Sequence, residues 1–396
     1  MKNQKRIEEL RELIDRESDG PVLSVFCRTD PRDPANSSET PAWAISLKNG
    51  LSHAAGFHDG DHDREQAVKK ICAEAERRIT SASAAERGRS IALFLGGNGS
   101  VDSFTTFQIP VRQDYVTVDS GPVVWPMLDV IDRGQRTGLV LLSGDRIRLL
   151  EWWDGRTRDL EESTFDLELG DWHEYRGPAR PQGISGGGGG LGRVRGGHGV
   201  SNVSAYHDRV DEWRARFFKA AAKAIAESAN ELGFDRLVAA AEGELGAGFN
   251  EALPAEMRSK LATTVHLNLI DLPAAEAGAA LDPHLRQAWR DGVSGDGARA
   301  LESSRAGGRG AAGTDQVLLA LSEGRVEHLI LDPYLETDEA SLSEESREAL
   351  RDAGEASVQE ALVELALRTS ARVSSASIEE VPALAEAGGV LALLRY

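Results

Sequence analysis

The stretch Pro126–Glu162 reads PMLDVIDRGQRTGLVLLSGDRIRLLEWWDGRTRDLEE. Two short turns, SGD at 143–145 and WDG at 153–155, separate three strand-like runs, of which the first two are rich in leucine, isoleucine and valine. Apolar runs of this length, separated by Gly/Asp turns, are typical of neighbouring antiparallel strands. The sequence therefore predicts an antiparallel meander near the middle of the chain.

A long amphipathic helix and two further strands are predicted after this meander. Apolar residues recur at steps of three and four and form one helical stripe: Tyr206, Val210, Trp213, Phe217, Ala221 and Ile225. The run FDRLVAAAEGE at 234–244 is typical of a parallel strand that enters a βα turn, and TTVHLNLIDLP at 263–273 predicts another strand. The sequence therefore predicts a mixed α/β domain over residues 123–272.

The residues before the meander predict a separate α/β sandwich over residues 1–122. An amphipathic helix at the N-terminus carries Ile7, Leu10, Leu13 and Ile14 on one face. A buried strand, GPVLSVFCRTD at 20–30, precedes helical patterns around 43–51 and 64–79. The runs SIALFLGG, SFTTFQIP and DYVTVDSG supply three more predicted strands.

From about Pro273 the composition shifts to alanine, glycine and acidic residues, which marks a third domain over residues 273–396. Its pattern is a helix, the loop AGGRGAAG, the helix TDQVLLALSEG, the strand RVEHLILD, helices from Leu342 to Thr369, and the closing runs ARVSSAS and GGVLALLRY. Alternating strands and helices predict an α/β/α layer. The predicted fold class is thus α/β with three domains.

The composition restricts the function classes. The 396 residues carry a formal net charge of −19, which argues against a surface coated with basic residues for nucleic acid or anionic lipid. The two cysteines, Cys27 and Cys72, are too few for a disulfide framework or a four-ligand zinc site, so we expect buried free thiols. No apolar run approaches the ~18 residues of a membrane span, and we expect a cytoplasmic protein with no membrane contact.

The segment Ser185–Val200 reads SGGGGGLGRVRGGHGV and lies inside a local basic region. Between positions 176 and 223 there are nine Lys/Arg residues and three acids, a local balance of 9 − 3 = +6. A glycine-rich arm with arginines, followed by a basic helix, suits close approach to RNA phosphates. A linker beside a solvated helix is an equally open interpretation on composition alone. The candidate RNA-binding residues are Arg193, Arg195, Arg209, Arg214, Arg216, Lys219 and Lys223.

Other motifs carry less information. The sequence at 183–187 matches G-x-S-x-G, but the strand and helix that a nucleophile elbow needs are not predicted around it. No glycine run is followed by the G-K-[ST] of a P-loop. The run HDGDHD at 58–63 is interpreted as an exposed loop rather than a metal site, and GGRGAAGTD as a flexible entry to a helix capped by Thr314. We expect no cofactor and no metal.

The order of these parts resembles the archaeo-eukaryotic peptide chain release factor family, in its bacterial branch with Pelota-like and Balon-like relatives. The resemblance rests on the meander, the glycine loop ending in RGGHG, the basic helix, LVAAAEGE, and the third-domain run GTDQVLLALSEGRVEHLILD. It implies a ribonuclease-H-like central domain with a mobile glycine-rich loop, here 183–200. It also implies a third domain like the kink-turn-binding ribosomal proteins.

The resemblance aligns Gly196, Gly197 and His198 with the family's Gly-Gly-Gln triplet, which positions water to hydrolyse the peptidyl-tRNA ester. Histidine stands here where the family has glutamine. A backbone N–H at this position would be retained, whereas the imidazole would replace the amide or act as a base. The stop-codon signatures of the family's first domain are not found in this sequence.

These features predict a ribosome-associated factor that enters the A site of stalled or idle ribosomes without decoding a stop codon, for hibernation or rescue. The alternative is a peptidyl-tRNA hydrolase that releases nascent chains through the Gly-Gly-His loop. The expected partners are ribosomal RNA and peptidyl-tRNA, and delivery by a translational GTPase is left open. A glycine-loop hydrolase unrelated to ribosomes is the third and weakest interpretation.

Overall fold

The computed structural model describes residues 2–16, 20–56, 61–166, 199–335, 337, 339–353 and 357–396. Over these residues the chain forms three β-sheets and thirteen α-helices. The α/β class predicted from the sequence is confirmed. None of the described helices is both long enough and apolar enough to cross a lipid bilayer.

The first sheet is four-stranded and antiparallel, with strand order β3-β2-β1-β4. Alternate residues of β1 and β2, such as Leu23, Val25 and Leu93, face α2 and α3 and form one core with them. The elements of this first part are α1 Lys2–Ile14, β1 Val22–Cys27, α2 Ala42–Ala55, α3 His62–Ser81, α4 Ala84–Arg87, β2 Ser90–Gly96, β3 Asp102–Phe107, β4 Tyr115–Asp119 and α5 Trp125–Arg133, with a short 3₁₀ turn at Pro34–Asn36.

The second sheet has the order β7-β6-β5-β8-β9, in which β5 pairs antiparallel with β6 and parallel with β8. The predicted meander therefore exists, and its WDG turn has positive φ angles at Asp154 (50°) and Gly155 (73°), as a tight hairpin turn requires. Its elements are β5 Thr137–Leu142, β6 Arg146–Trp153, β7 Arg156–Asp166, α6 Gly199–Leu232, β8 Arg236–Ala241, α7 Leu245–Ala252, α8 Ala255–Lys260 and β9 Leu261–Val265.

The third sheet has the order β10-β13-β11-β12, with β11 and β12 parallel and the other pairs antiparallel. Trp289, Val293 and Leu301 of α9 form a core with Ile330 and Leu391 of the sheet. The elements are α9 Ala274–Arg305, β10 Gly310–Ala312, α10 Thr314–Ser322, β11 Val326–Leu331, α11 Glu344–Ala353, α12 Val358–Arg368, β12 Arg372–Ser375, α13 Ala383–Glu386 and β13 Val390–Leu394, with a 3₁₀ turn at Glu339–Ser341.

The chain divides into two compact units. One unit comprises Met1–Arg136, Trp153–Arg156 and Leu281–Tyr396, and the other comprises Thr137–Trp152 and Thr157–Ala280. The first and third sheets thus lie in the same unit, while the second sheet forms the core of the other. The boundaries 1–122, 123–272 and 273–396 that the sequence suggests stay predictions.

Three local predictions are corrected by the structure. The run after Val124 begins as helix α5 rather than as a strand, and every residue from Trp125 to Asp132 is buried. The helical period is present in the sequence, since Asp129, Asp132 and Arg133 recur at steps of three and four. The loop AGGRGAAG contains the short strand β10, Gly310–Ala312. Helix α10 is capped by Gly313, whose φ of 85° favours glycine, and Thr314 is its first helical residue.

Candidate functional site

Part of the site predicted from the sequence lies outside the described residues. This holds for Gly196, Gly197 and His198 and for Arg193 and Arg195, and the side chain of Arg209 in α6 is likewise not described. The described part of the predicted RNA-binding region is therefore α6 from position 212 onward. It contains Arg214, Arg216, Lys219 and Lys223.

Helix α6 is held against the second sheet by one apolar face. Phe218, Ala222 and Ile225 are buried in a cluster with Val140 of β5 and Ala239 of β8. The ring of Phe218 meets that of Phe249 on α7 edge to face, with centroids 6.3 Å apart. Of the predicted apolar stripe, Ala221 and Ile225 are buried in this cluster and Phe217 is half-buried against it. Phe218, which the predicted stripe omits, is 3% exposed.

The opposite face of α6 carries three of the predicted basic residues. Arg216, Lys219 and Lys223 follow one another at steps of three and four residues and are all exposed. Arg216 Nη2 lies 2.6 Å from Glu212 Oε1, and Lys223 Nζ lies 3.8 Å from Glu227 Oε1. Exposed pairs of this kind contribute little to stability, so these cations can exchange a carboxylate for a phosphate at small cost.

Arg214 does not share this face. It precedes the buried Phe218 by one helical turn and is itself half-buried, whereas Arg216 is exposed. The structure therefore separates two arginines that are adjacent in the predicted set. We call the exposed residues Arg216, Lys219 and Lys223 the basic face of α6.

Sequence reasoning did not find a second set of polar residues, which is buried around β11 and β12. His328 Nδ1 lies 2.9 Å from Asp296 Oδ2, and His328 Nε2 lies 2.8 Å from Ser374 Oγ. This row has the spacing of a Ser-His-Asp triad. However, Ser374 is fully buried and its hydroxyl donates to Asp132 Oδ2 at 2.7 Å, so no substrate reaches it and we interpret the row as structural.

Electrostatics agree with a structural role for this row. Burial lowers the pKa of His328, and the hydrogen bond to Asp296 opposes that effect. Burial acts to raise the pKa of Asp296, but the bonds from His328 and Arg299 outweigh it and lower the pKa to about 2. No local sequence motif indicates these buried polar residues, because they come from four separate elements: α5, α9, β11 and β12.

Comparison with known families bears directly on the region that contains α6. Residues 122–289 match the family described as "Bacterial archaeo-eukaryotic release factor family 10". This segment, less than half of the chain, is similar to the bacterial archaeo-eukaryotic release factors. The match covers α5, the second sheet and α6 with the residues before it, and it confirms the resemblance stated from the sequence. A comparison with curated protein sequences gives no match.

Solved structures of release-factor type also align with the chain. The archaeal translation termination factor aRF1 is 17% identical, with 100% of this chain and 98% of that chain covered and a TM-score of 0.26. Archaeoglobus fulgidus Pelota is 12% identical, with coverages of 98% and 91% and a TM-score of 0.32. Archaeal Pelota from a ribosome-bound complex with ABCE1 is 13% identical, with coverages of 99% and 94% and a TM-score of 0.38.

Proposed function

We propose that this protein is a ribosome-associated translation factor that enters the A site of stalled or idle ribosomes without decoding a stop codon, as a hibernation or rescue factor. The family match over residues 122–289 carries the proposal. The basic face of α6 supports it, because it offers three exposed cations to RNA phosphates in a chain whose net charge is −19.

The expected partners are ribosomal RNA and peptidyl-tRNA, with a translational GTPase as the candidate for delivery. The aligned archaeal Pelota is described as ribosome-bound. Saccharomyces cerevisiae Dom34, which is 9% identical with coverages of 78% and 84% and a TM-score of 0.38, is described as interacting with Hbs1. Both descriptions belong to those proteins. They motivate a search for the same two classes of partner here.

Co-sedimentation with ribosomes across a salt series tests the proposal. Alanine at Arg216, Lys219 and Lys223 together should weaken binding and reduce the slope of log K against log salt by about 2, since each lost phosphate contact removes about 0.7 of a released counterion. The control replaces three exposed arginines from the third part of the chain, residues 281–396, by alanine: Arg305, Arg309 and Arg351. Equal loss in both variants, or no binding by the wild type, would contradict the proposal.

The alternative function, peptidyl-tRNA hydrolysis, is favoured by the run Gly196-Gly197-His198 alone. In this interpretation the triplet places water at the ester bond, through its backbone N–H groups or through the imidazole of His198. A release assay on ribosomes that carry peptidyl-tRNA separates the two functions. Released peptide supports the hydrolase, and stable binding without release supports occupancy.

A further inference from the structure

A buried carboxylate on α5, Asp132, collects hydrogen bonds from distant parts of the chain. Its Oδ1 accepts from Arg372 Nε at 3.0 Å and from Gln135 Nε2 at 2.6 Å. Its Oδ2 accepts from Trp289 Nε1 and from Ser374 Oγ, each at 2.7 Å. Three of the four donors belong to α9 and β12 of the third part, so α5 is bonded to that part through a single side chain.

The charge of Asp132 is retained in spite of its complete burial. Burial acts to raise its pKa, but the positive charge of Arg372 and the hydrogen bond from Ser374 outweigh burial and hold the pKa below the ordinary value. A buried carboxylate is tolerated only when its oxygens are satisfied, and here both are. Replacing any of these donors therefore leaves an oxygen of the Asp132 carboxylate without one of its hydrogen bonds.

A second carboxylate on α5, Asp129, lies one turn before Asp132 and is bonded to Arg112, which precedes the helix in the sequence. Its Oδ1 accepts from Arg112 Nε at 2.9 Å, and its Oδ2 is paired with Arg133. Arg112 lies between β3 and β4, and its other nitrogens donate to Glu380 Oε2 at 2.7 Å and to the carbonyl oxygen of Ser375 at 2.8 Å. One guanidinium of the first part thus bonds to α5 and to the third part together.

Helix α1 adds an independent bond between the same two parts. Arg11 Nε donates to the carbonyl oxygen of Leu367 at the end of α12, at 2.8 Å, and Arg11 Nη2 lies 3.1 Å from Ser370 Oγ. The first part and the third part also fall within one compact unit of the chain. All these bonds lie inside that unit.

We propose that α5, the last helix of the first part, is a latch: it joins residues 2–123 to the third part, residues 281–396, as one rigid body. Asp129 and Asp132 are the two carboxylates of this latch. Asp129 accepts a hydrogen bond from Arg112, and Asp132 accepts hydrogen bonds from Trp289 and Ser374. A partner that binds either part then positions the other as well. This inference rests on contacts within one unit and stands apart from the proposed ribosomal function.

The test measures the distance between the two parts in the full chain. Lys69→Cys on α3 and Glu348→Cys on α11 provide exposed positions for spin labels, and the native Cys27 and Cys72 are buried. Pulsed electron paramagnetic resonance should give one narrow distance distribution for the otherwise wild-type chain. The double variant Asp129→Asn/Asp132→Asn should give a distribution at least about twice as wide, because asparagine presents an amide N–H₂ where donors converge.

A matched control is a buried, ion-paired aspartate whose partner lies in the same part of the chain. Asp30 is also buried and ion-paired, with Arg89 Nη2 at 2.8 Å, and both residues belong to the first part. Asp30→Asn should leave the distribution narrow. A broad distribution in the wild-type chain, or a narrow one in the folded double variant, overturns the latch.

Two milder variants keep the test decisive if the double variant does not fold. Trp289→Phe retains an aromatic ring but removes the indole N–H that bonds to Asp132. Arg112→Lys keeps the charge but cannot make three bonds to Asp129, Glu380 and Ser375 from a planar fork. Both should broaden the distribution relative to Asp30→Asn, and narrow distributions in both overturn the proposal.

Discussion

The indole Nε1 of Trp289 donates a hydrogen bond of 2.7 Å to Oδ2 of Asp132, across 157 positions of the sequence. The tryptophan belongs to α9 and the aspartate to α5. Both are buried, so neither group can turn to water when the other is removed. The two elements consequently depend on each other for stability.

Asp132→Ala should lower the free energy of unfolding by about 3–5 kcal/mol, because it leaves Arg372, Trp289 and Ser374 without their common acceptor in a buried site. Equilibrium unfolding in urea measures this change. The exposed aspartate Asp271, paired with Arg146, serves for comparison, and Asp271→Ala should cost less than about 1 kcal/mol. Equal effects of the two substitutions would show that Asp132 is not a structural centre.

The carboxyl group of Glu360 should make stability depend on pH. Burial and the nearby charge of Asp119 raise its pKa from the ordinary 4.5 to about 7. The folded state therefore binds this proton more tightly than the unfolded state does, and the stabilisation it provides is complete below about 4.5 and lost as the pH rises through about 7.

Unfolding curves between pH 4.5 and 8 test this dependence. Glu360→Gln should remove that part of the slope, so the variant gains stability relative to the wild type as the pH rises. Glu344→Gln is a suitable control, because exposed arginines lower the pKa of Glu344 rather than raising it. An identical pH slope in the wild type and Glu360→Gln would refute the assignment.

Gly138 on β5 should tolerate no side chain. A Cβ atom built there would lie 2.7 Å from Leu237 Cδ2 and 2.9 Å from Phe234 Cδ2, both in the core of the second sheet. Gly138→Ala should therefore cost about 1–3 kcal/mol through overpacking, measured by urea unfolding. Gly144→Ala, at a turn where nothing lies within 4 Å, is the matched control and should change stability far less.

Both cysteine thiols should be unreactive in the folded protein. Burial raises the pKa of Cys72 to about 11 and that of Cys27 further still, so almost no thiolate exists at pH 8. A thiol reagent such as dithiobis-nitrobenzoate should modify neither residue in native buffer and both in denaturant. Rapid modification of one thiol under native conditions would contradict the burial.

The glycine triplet gives a prediction that separates hydrolysis from occupancy. If the wild type releases peptide, Gly197→Ala should abolish release while ribosome binding persists, because the added methyl group restricts backbone torsions without removing a contact. His198→Ala then distinguishes the backbone from the side chain. Retained release points to the N–H, and lost release with a wild-type pH profile that turns near ~6.5 points to the imidazole as a base.

Local features of this protein were determined by the sequence alone. The turns SGD and WDG specified the meander β5-β6-β7, because turn chemistry and apolar runs act over a few residues. The apolar period of α6 predicted a buried face, on which Ala221 and Ile225 are buried, but it omitted Phe218. Gly196, Gly197 and His198 stay a prediction of the sequence, outside the described residues.

Tertiary structure decided which residues that are distant in the sequence contact each other. Asp132 of α5 is buried, and its partners Trp289, Arg372 and Ser374 are 157 to 242 positions away in the sequence. The separation of Arg214 from Arg216 likewise follows from which side of α6 meets the sheet. A buried carboxylate is tolerated only where hydrogen-bond donors surround it. For Asp132 most of these donors come from distant parts of the sequence, so only the packed chain brings them together.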